Sequence, residues 1–343
     1  MIHQYIHRKT GAVKTEKLFA DKIINLIYST AREKVPVLYK AAASARASAI
    51  LGYLNYSMAG GSRLTGAEKI IRELGINLAE CVDPPAALDS PEKIFERKIQ
   101  YWDRRPMSID PEAVASPADA KMIIGSFERQ AQIFLKEKFF SFDELFCAGP
   151  GAGAESPELT AQWPAAFAGG DFAVLRLTPE KYHYNHAPVT GKVLDIYEID
   201  GLYHSCNPSA IVHSVTPLSK NKRVVTIMDT DIPGGSRVGL VAMIEVVALM
   251  IGKIVQCYSD FQYRAPRPVT PGMVLEKGQP KSLYRPGSSV DVLIFQKDKI
   301  QFCPDIVSNM YRIDAQSRFS LGFGQPLVET EVDVRSTIAF RRK

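Results

Sequence analysis

From Pro106 onward the chain breaks into short, β-branched apolar runs, each bounded by Gly, Pro, Asn or Asp. The runs are Lys121–Ile124, Ala131–Leu135, Phe172–Leu177, Gly191–Ile199, Val224–Met228, Val238–Val246, Lys253–Tyr258 and Val290–Phe295. Strand-length segments at turn-length spacing predict an antiparallel, β-rich core. Val290–Phe295 reads as a buried strand, entered from the corner Tyr284-Arg285-Pro286-Gly287-Ser288-Ser289. Residues 148–170 are small and glycine-rich and read as a long surface loop, a candidate lid.

The first part of the chain carries a different period. Residues 1–20 are polar and mixed. Ile23, Ile24, Ile27 and Tyr28 then fall on one helical face, and Val35-Pro36 ends the run. Ala41 to Tyr56 is a second helix candidate, and Ala67 to Leu74 a third, closed by Gly75. Ser90-Pro91 opens a fourth, with the stripe Ile94, Phe95, Ile99 and Trp102. The expected fold class is α+β: a helical region over 1–108, then a β-rich core over 109–343. The apolar helix faces either pack on the core or meet acyl chains at a bilayer.

Composition narrows the functional classes. A chain of 343 residues, 46% apolar and 23% charged, can bury a sizeable core. The net charge of +5 comes with no basic patch interleaved with aromatics, which argues against nucleic acid. Arg341-Arg342-Lys343 reads as a solvated tail. Cys81, Cys147, Cys206, Cys257 and Cys303 are odd in number and widely spaced, so neither a disulfide framework nor a zinc site is expected. Met1-Ile2-His3-Gln4 lacks a signal-peptide pattern, and the expected location is cytoplasmic. The most apolar stretch, Val238 to Cys257, contains Glu245 and Lys253 and reads as two buried strands. Membrane contact would therefore be peripheral.

Four stretches carry chemistry-bearing residues. They are Ser116-Pro117-Ala118-Asp119, Tyr182-His183-Tyr184-Asn185-His186-Ala187-Pro188, Asn221-Lys222-Arg223-Val224, and the Gly287-Ser288-Ser289 corner. Each has a plain structural reading: a capping aspartate, hydrogen-bonded loop histidines, an edge turn. A metal half-site at His183 and His186 would need His204 or His213, and no cysteine or acidic cluster joins them, so no metal is expected. A serine, a histidine and an aspartate together are what a nucleophile needs at neutral pH.

In this order the stretches resemble the phosphatidylserine decarboxylase family of self-processing, pyruvoyl-dependent enzymes. The resemblance runs from about Pro111 to Phe295. Ser116-Pro117-Ala118-Asp119 looks like the family's S-P-A-D-G, and Tyr182 to Pro188 like Y-H-x-x-H-x-P. Leu202-Tyr203-His204-Ser205-Cys206-Asn207-Pro208 is similar to L-x-S-V-N-P, Asn221 to Val224 to N-E-R-V, and Pro286-Gly287-Ser288-Ser289 to the processing motif. Three positions depart from the pattern: Ala120, Lys222 and Ser289.

The resemblance implies self-cleavage between Gly287 and Ser288, giving chains 1–287 and 288–343. Ser288 attacks the Gly287 carbonyl, with His186 as base and Asp119 orienting it. Elimination and hydrolysis then leave a covalent pyruvoyl group derived from Ser288. That ketone would form a Schiff base with the substrate amine, and His183 would protonate the carbon left when CO2 departs. Ser289 is the second-choice nucleophile; Ser288 is preferred because only its bond has glycine on the acyl side. Gly234-Gly235-Ser236-Arg237 lies far from the C-terminus and lacks the downstream strand. The implied substrate is phosphatidylserine. The alternatives are a soluble decarboxylase of a free aromatic amino acid and a non-processing lipid-binding relative. A homodimer is expected by analogy.

Overall fold

A computed structural model describes residues 2–18, 63–128, 139–147, 162–213, 217–248, 253–286 and 289–343. In chain order the strands are β1 (Gln4–His7), β2 (Ala12–Thr15), β3 (Ala113–Ala115), β4 (Ala120–Ser126), β5 (Asp171–Leu177), β6 (Tyr184–His186), β7 (Gly191–Ile199) and β8 (Arg223–Asp229). They continue with β9 (Leu240–Val247), β10 (Ile254–Gln256), β11 (Val274–Leu275), β12 (Pro280–Tyr284), β13 (Ser289–Phe295), β14 (Ile300–Phe302), β15 (Glu329–Val332) and β16 (Thr337–Arg341). The architecture is α+β and dominated by antiparallel sheets.

A ten-stranded sheet runs β11-β7-β8-β9-β13-β5-β4-β15-β1-β2, antiparallel except where β1 meets β15. β13 lies near its middle, paired with β9 on one side and β5 on the other. Every residue of β13 is buried, as a nearly continuous branched apolar run requires when both faces are covered. Two three-stranded sheets accompany it, β10-β12-β6 and β14-β16-β3. Although β12 and β13 are neighbours in sequence, they belong to different sheets. Tyr284 therefore ends a strand of the small sheet, and Ser289 begins one in the middle of the large sheet.

The β-branched runs from Phe172 onward all become strands. Val238 to Cys257 supplies two strands: β9 is buried from Val241 on, but β10 buries only Ile254 and is half-exposed along the rest, so the expected pair of buried strands holds for β9 alone. Ala131–Leu135 and the helix candidates at Asp21–Tyr28 and Ala41–Tyr56 lie outside the described residues. The helix Arg63–Leu74 closes with Gly75 at φ +66, Ile76 N donating to Ile71 O at 2.9 Å and Gly75 N to Arg72 O at 3.3 Å. This is the Schellman ending that a glycine at that position permits.

Three expectations need correction. The first 108 residues are not helical throughout, because β1 and β2 form a hairpin inside the ten-stranded sheet. Of β1 only Ile6 is a fully buried apolar residue, so no apolar run marks the strand; its neighbour β15 comes from the far end of the chain. The helix begun at Ser90, whose hydroxyl accepts from Lys93 N at 3.3 Å, ends at Phe95. The buried Arg97 guanidinium takes the Ile94 carbonyl at 3.0 Å and the Glu180 carbonyl at 2.7 Å, Ile99 makes a β-bridge to Cys81, and Trp102 sits in a separate turn of helix, Tyr101–Arg104. Finally, the stretch 148–170 is not all loop: Gln162–Ala166 is helical, and Trp163 Nε1 donates to Asp195 Oδ2 at 3.0 Å.

Candidate active site

The sequence motifs converge at the crossing between the two sheets. The loop Ser116–Asp119 joins β3 to β4, and its Pro117 carbonyl accepts from His186 N at 2.7 Å. β6 places Tyr184–His186 alongside β12. Just before β6, the His183 carbonyl accepts from Tyr284 N at 3.1 Å, so His183 borders the last residue before the corner. Asn221 ties two further motifs to the same end of the sheet. Its side chain brackets His204 (2.7 Å from N, 2.9 Å to O) and donates to Val247 O at 2.8 Å. Val247 is the residue opposite Ser289. Arg223 is buried under backbone carbonyls of Leu145 and Asn221, and burial lowers its pKa to about 10. These residues hold the sheet end in place.

His186 is fully buried, and its two nitrogens have assigned work. Nδ1 lies 2.8 Å from the Gly278 carbonyl, which can only accept, so Nδ1 carries the proton. Nε2 is then the acceptor, taking the Tyr182 hydroxyl at 2.9 Å. Tyr182 OH is 2.6 Å from Tyr263 OH, which also reaches the Ile99 carbonyl at 2.9 Å. Gly278 adopts φ +77, and a Cβ there would meet Met107 Sδ at 2.3 Å. The carbonyl that sets the tautomer thus depends on a position suited to glycine. Burial holds the His186 pKa down at about 3.

Asp119 does not contact His186 as the sequence suggested. Its carboxylate receives Arg105 Nε at 3.0 Å and Nη2 at 2.8 Å, and Val334 N at 2.7 Å. Burial alone would raise its pKa; the Arg105 fork holds it below the usual carboxylate range. The Gly278 carbonyl has taken over the orienting role. Asp119 still acts through space, since its charge favours the protonated form of both His183 and His186.

His183 is the opposite case to His186. It is fully buried and stacked on Phe95, ring centroids 3.6 Å apart, and among the described residues neither ring nitrogen makes a well-formed hydrogen bond, although the Lys181 backbone lies close enough to favour the charged ring. Burial, with Arg97 nearby, pushes its pKa well below the ordinary value, so the ring is neutral. Among the described residues, other polar atoms around the crossing are also buried without a partner: Asn185 Oδ1, Ser289 Oγ and Asp291 Oδ2. Such atoms are uncommon in native cores and need an explanation. Ser289 is paired within β13 on both sides. Gly287 and Ser288 lie outside the described residues. Gly234–Arg237 is structural: Thr190 N donates to Ser236 Oγ at 2.9 Å, and Ser236 N to Thr190 O at 2.9 Å.

Sequence reasoning missed Arg105, Tyr263 and Gly278. No local pattern marks Tyr263, a loop residue at φ +62. Phe95 was visible only as part of an apolar helix face.

Comparison with known proteins decides the family. The sequence model of the phosphatidylserine decarboxylase family matches residues 92–319, well over half of the chain. The chain belongs to the phosphatidylserine decarboxylase family. It is 26% identical to the phosphatidylserine decarboxylase proenzyme of Fusobacterium nucleatum subsp. nucleatum over 307 residues, covering 89% of this chain and 91% of that protein. It is 30% identical to the Bordetella petrii proenzyme over 236 residues, covering 66% and 76%. With phosphatidylserine decarboxylase proenzyme 2 of Oryza sativa subsp. japonica it shares 27% over 240 residues, 69% of this chain and 34% of that one. The family match spans all the motifs described above, from Ser116 to Ser289. Among the described residues no helix is long and apolar enough to cross a membrane.

Proposed function

We propose that this member of the family cuts itself between Gly287 and Ser288 and then decarboxylates phosphatidylserine to phosphatidylethanolamine and CO2. The observation that carries the reading is His183: a neutral imidazole, fully buried, with neither nitrogen in a well-formed hydrogen bond among the described residues, bordering the residue that enters the corner. An uncompensated buried polar ring costs about 1–3 kcal/mol. Its persistence in a sheet core is accounted for if a reacting group supplies the missing partner.

In self-cleavage the Ser288 hydroxyl adds to the Gly287 carbonyl and gives up its proton. The Gly287–Ser288 C–N bond breaks, the nitrogen takes a proton, and an ester remains. Loss of the Ser288 Cα proton expels the Gly287 carboxylate and leaves a dehydroalanine. Its tautomer takes up water and releases ammonia, which ends in an N-terminal pyruvoyl group at residue 288. His186 is the proposed base. Its acceptor, Nε2, becomes free when the Tyr182 hydroxyl turns to Tyr263, 2.6 Å away. Asp119 supplies negative potential that steadies the protonated ring. Ser289, held in the ladder from both sides, is the poorer candidate for a backbone rearrangement.

A His183 ring N–H and the Ser289 hydroxyl can donate to a small carbonyl group at the crossing, and the orphaned Asn185 Oδ1 can accept from a substrate amine. When present, the pyruvoyl ketone supplies an electrophile for the substrate amine and draws off electrons as CO2 leaves. His183 is placed to relay a proton to the reacting carbon, its protonated form favoured by the Asp119 charge, and Phe95 fixes the plane of its ring. Because the substrate is a membrane lipid, the enzyme works at a bilayer surface.

Intact mass of purified protein tests the cleavage: fragments 1–287 and 288–343 are expected for wild type and a whole chain for Ser288→Ala. CO2 release from phosphatidylserine liposomes, set beside free amino acids, tests the substrate. An active preparation that is a single full-length chain removes the mechanism.

A further inference from the structure

Tyr284 is the last residue of β12, and Val290 and Asp291 follow the corner in β13. All three are fully buried. The Tyr284 hydroxyl lies 2.7 Å from Asp291 Oδ1 and 3.0 Å from the Val290 carbonyl. One side chain before the 287/288 bond therefore grips two groups beyond it. We propose that Tyr284 and the Asp291 carboxyl form a clamp across the bond that is cut, positioning the corner for self-cleavage. The proposal rests on the cleavage assignment given above.

Hydrogen-bond arithmetic fixes how the clamp works. A tyrosine hydroxyl has one proton and here faces two acceptors. Both contacts are satisfied only if Asp291 is protonated, donates to the Tyr284 oxygen, and Tyr284 in turn donates to Val290 O. The surroundings of Asp291 favour that state. Glu245 of β9 is its direct cross-strand partner, Leu175 of β5 faces it from the other side, and the Lys281 ammonium of β12 is taken up at 2.6 Å by Glu245 Oε2. Burial, with Glu245 beside it, raises the Asp291 pKa well above the ordinary carboxyl value despite Tyr284 and Lys281. A neutral acid also makes the orphaned Oδ2 less costly than it would be on an anion. Cleavage turns residue 288 into a free chain end, and the clamp then keeps that end attached to β12.

The test follows cleavage of freshly translated full-length chain on denaturing gels, with fragment masses, alongside the melting temperature of each variant. Tyr284→Phe and Asp291→Val remove the clamp and are expected to slow cleavage at least tenfold. Asp291→Asn keeps a donor of the same shape and is expected to cleave within about threefold of wild type, the rescue that mere packing would not give. Should Tyr284→Phe fail to fold, the Asn and Val variants at Asp291 still decide the matter. Wild-type cleavage at 287/288 with Tyr284→Phe or Asp291→Val equally fast overturns the clamp alone, as does an Asn variant as slow as Val. A wild-type chain that stays whole or breaks elsewhere overturns the cleavage assignment and the clamp with it.

Discussion

Two buried polar clusters, one on the ten-stranded sheet and one where that sheet meets the sheet of β6 and β12, are built on opposite plans. In the first, the Arg176 guanidinium meets Glu16 at 2.8 and 2.6 Å and Glu329 at 3.0 and 2.7 Å. His3 Nε2 is 2.7 Å from Glu329, and Lys121 Nζ 3.5 Å from Glu16. Each charged group there faces an opposite or donor group, and together they tie β1, β15, β4 and β5 side by side. In the second, at the crossing between sheets, His183, Asn185, Ser289 and Asp291 each keep a polar atom without a partner. The first cluster is complete as folded. The second retains bonding capacity that folding did not use, which is what a site held ready for a reacting group requires.

Substituting one residue from each cluster separates the two plans most strongly. His183→Phe keeps the stack on Phe95 and removes only unpartnered nitrogens. Stability is expected to stay level or rise by up to about 3 kcal/mol as the uncompensated polarity is removed, while decarboxylation of an already cleaved chain falls by about 10^2- to 10^4-fold. Arg176→Met takes the shared guanidinium from two buried carboxylates, leaving them only His3 and Lys121, and is expected to cost about 3–5 kcal/mol in urea unfolding. A His183→Phe protein that unfolds as readily as Arg176→Met would make the clusters alike and remove the distinction.

The second cluster was the more legible of the two in sequence, for a physical reason. Its chemistry-bearing residues come in short local motifs: Asp119 closes one, and His183 and His186 lie three apart in another. The apolar run Val290–Phe295 announced β13 directly. Contacts between distant segments left no such trace. Nothing local says that Gly278, rather than Asp119, receives the His186 proton, or that Arg105 takes up Asp119. The first cluster is non-local throughout: Glu16, Arg176 and Glu329 are brought together by β1 pairing with β15 across almost the whole chain. A strand such as β1, with one fully buried apolar side chain, has too little periodicity to be read at all.

Acid should dismantle the clusters at different pH. Burial depresses the pKa of His183 and His186, so their neutral forms contribute stability fully above the unfolded histidine value of about 6.5 and lose it as pH falls toward the folded values, about 3 for His186. Glu16 and Glu329 are depressed by Arg176 against the cost of burial. Their contribution is full above the unfolded carboxylate range, near pH 4.3, and is lost only below it. Unfolding free energy should therefore begin to fall below about pH 6.5, with each histidine adding up to about 1.4 kcal/mol per pH unit. Urea titrations between pH 4.5 and 7 should show a shallower slope for His183→Phe and an unchanged slope for Glu16→Gln. The reverse pattern would assign the early acid limb to the ion-paired cluster.

The smallest expected effect is also the one that fixes the register of the cut. Ser289 Oγ is buried with no partner, so Ser289→Ala removes a polar group that makes no bond, and stability should stay within about 1 kcal/mol of wild type. Ser289 is held in β13 opposite both Leu177 and Val247, where shifting its peptide bond would disturb a ladder paired on both sides. The bond before residue 288 precedes that paired segment in the sequence and has glycine on its acyl side. Ser289→Ala should accordingly cleave as wild type does and yield a short chain beginning at residue 288. A variant that folds but stays whole would move the nucleophile one residue into the strand, and the ladder would then have to open before the chain could cut itself.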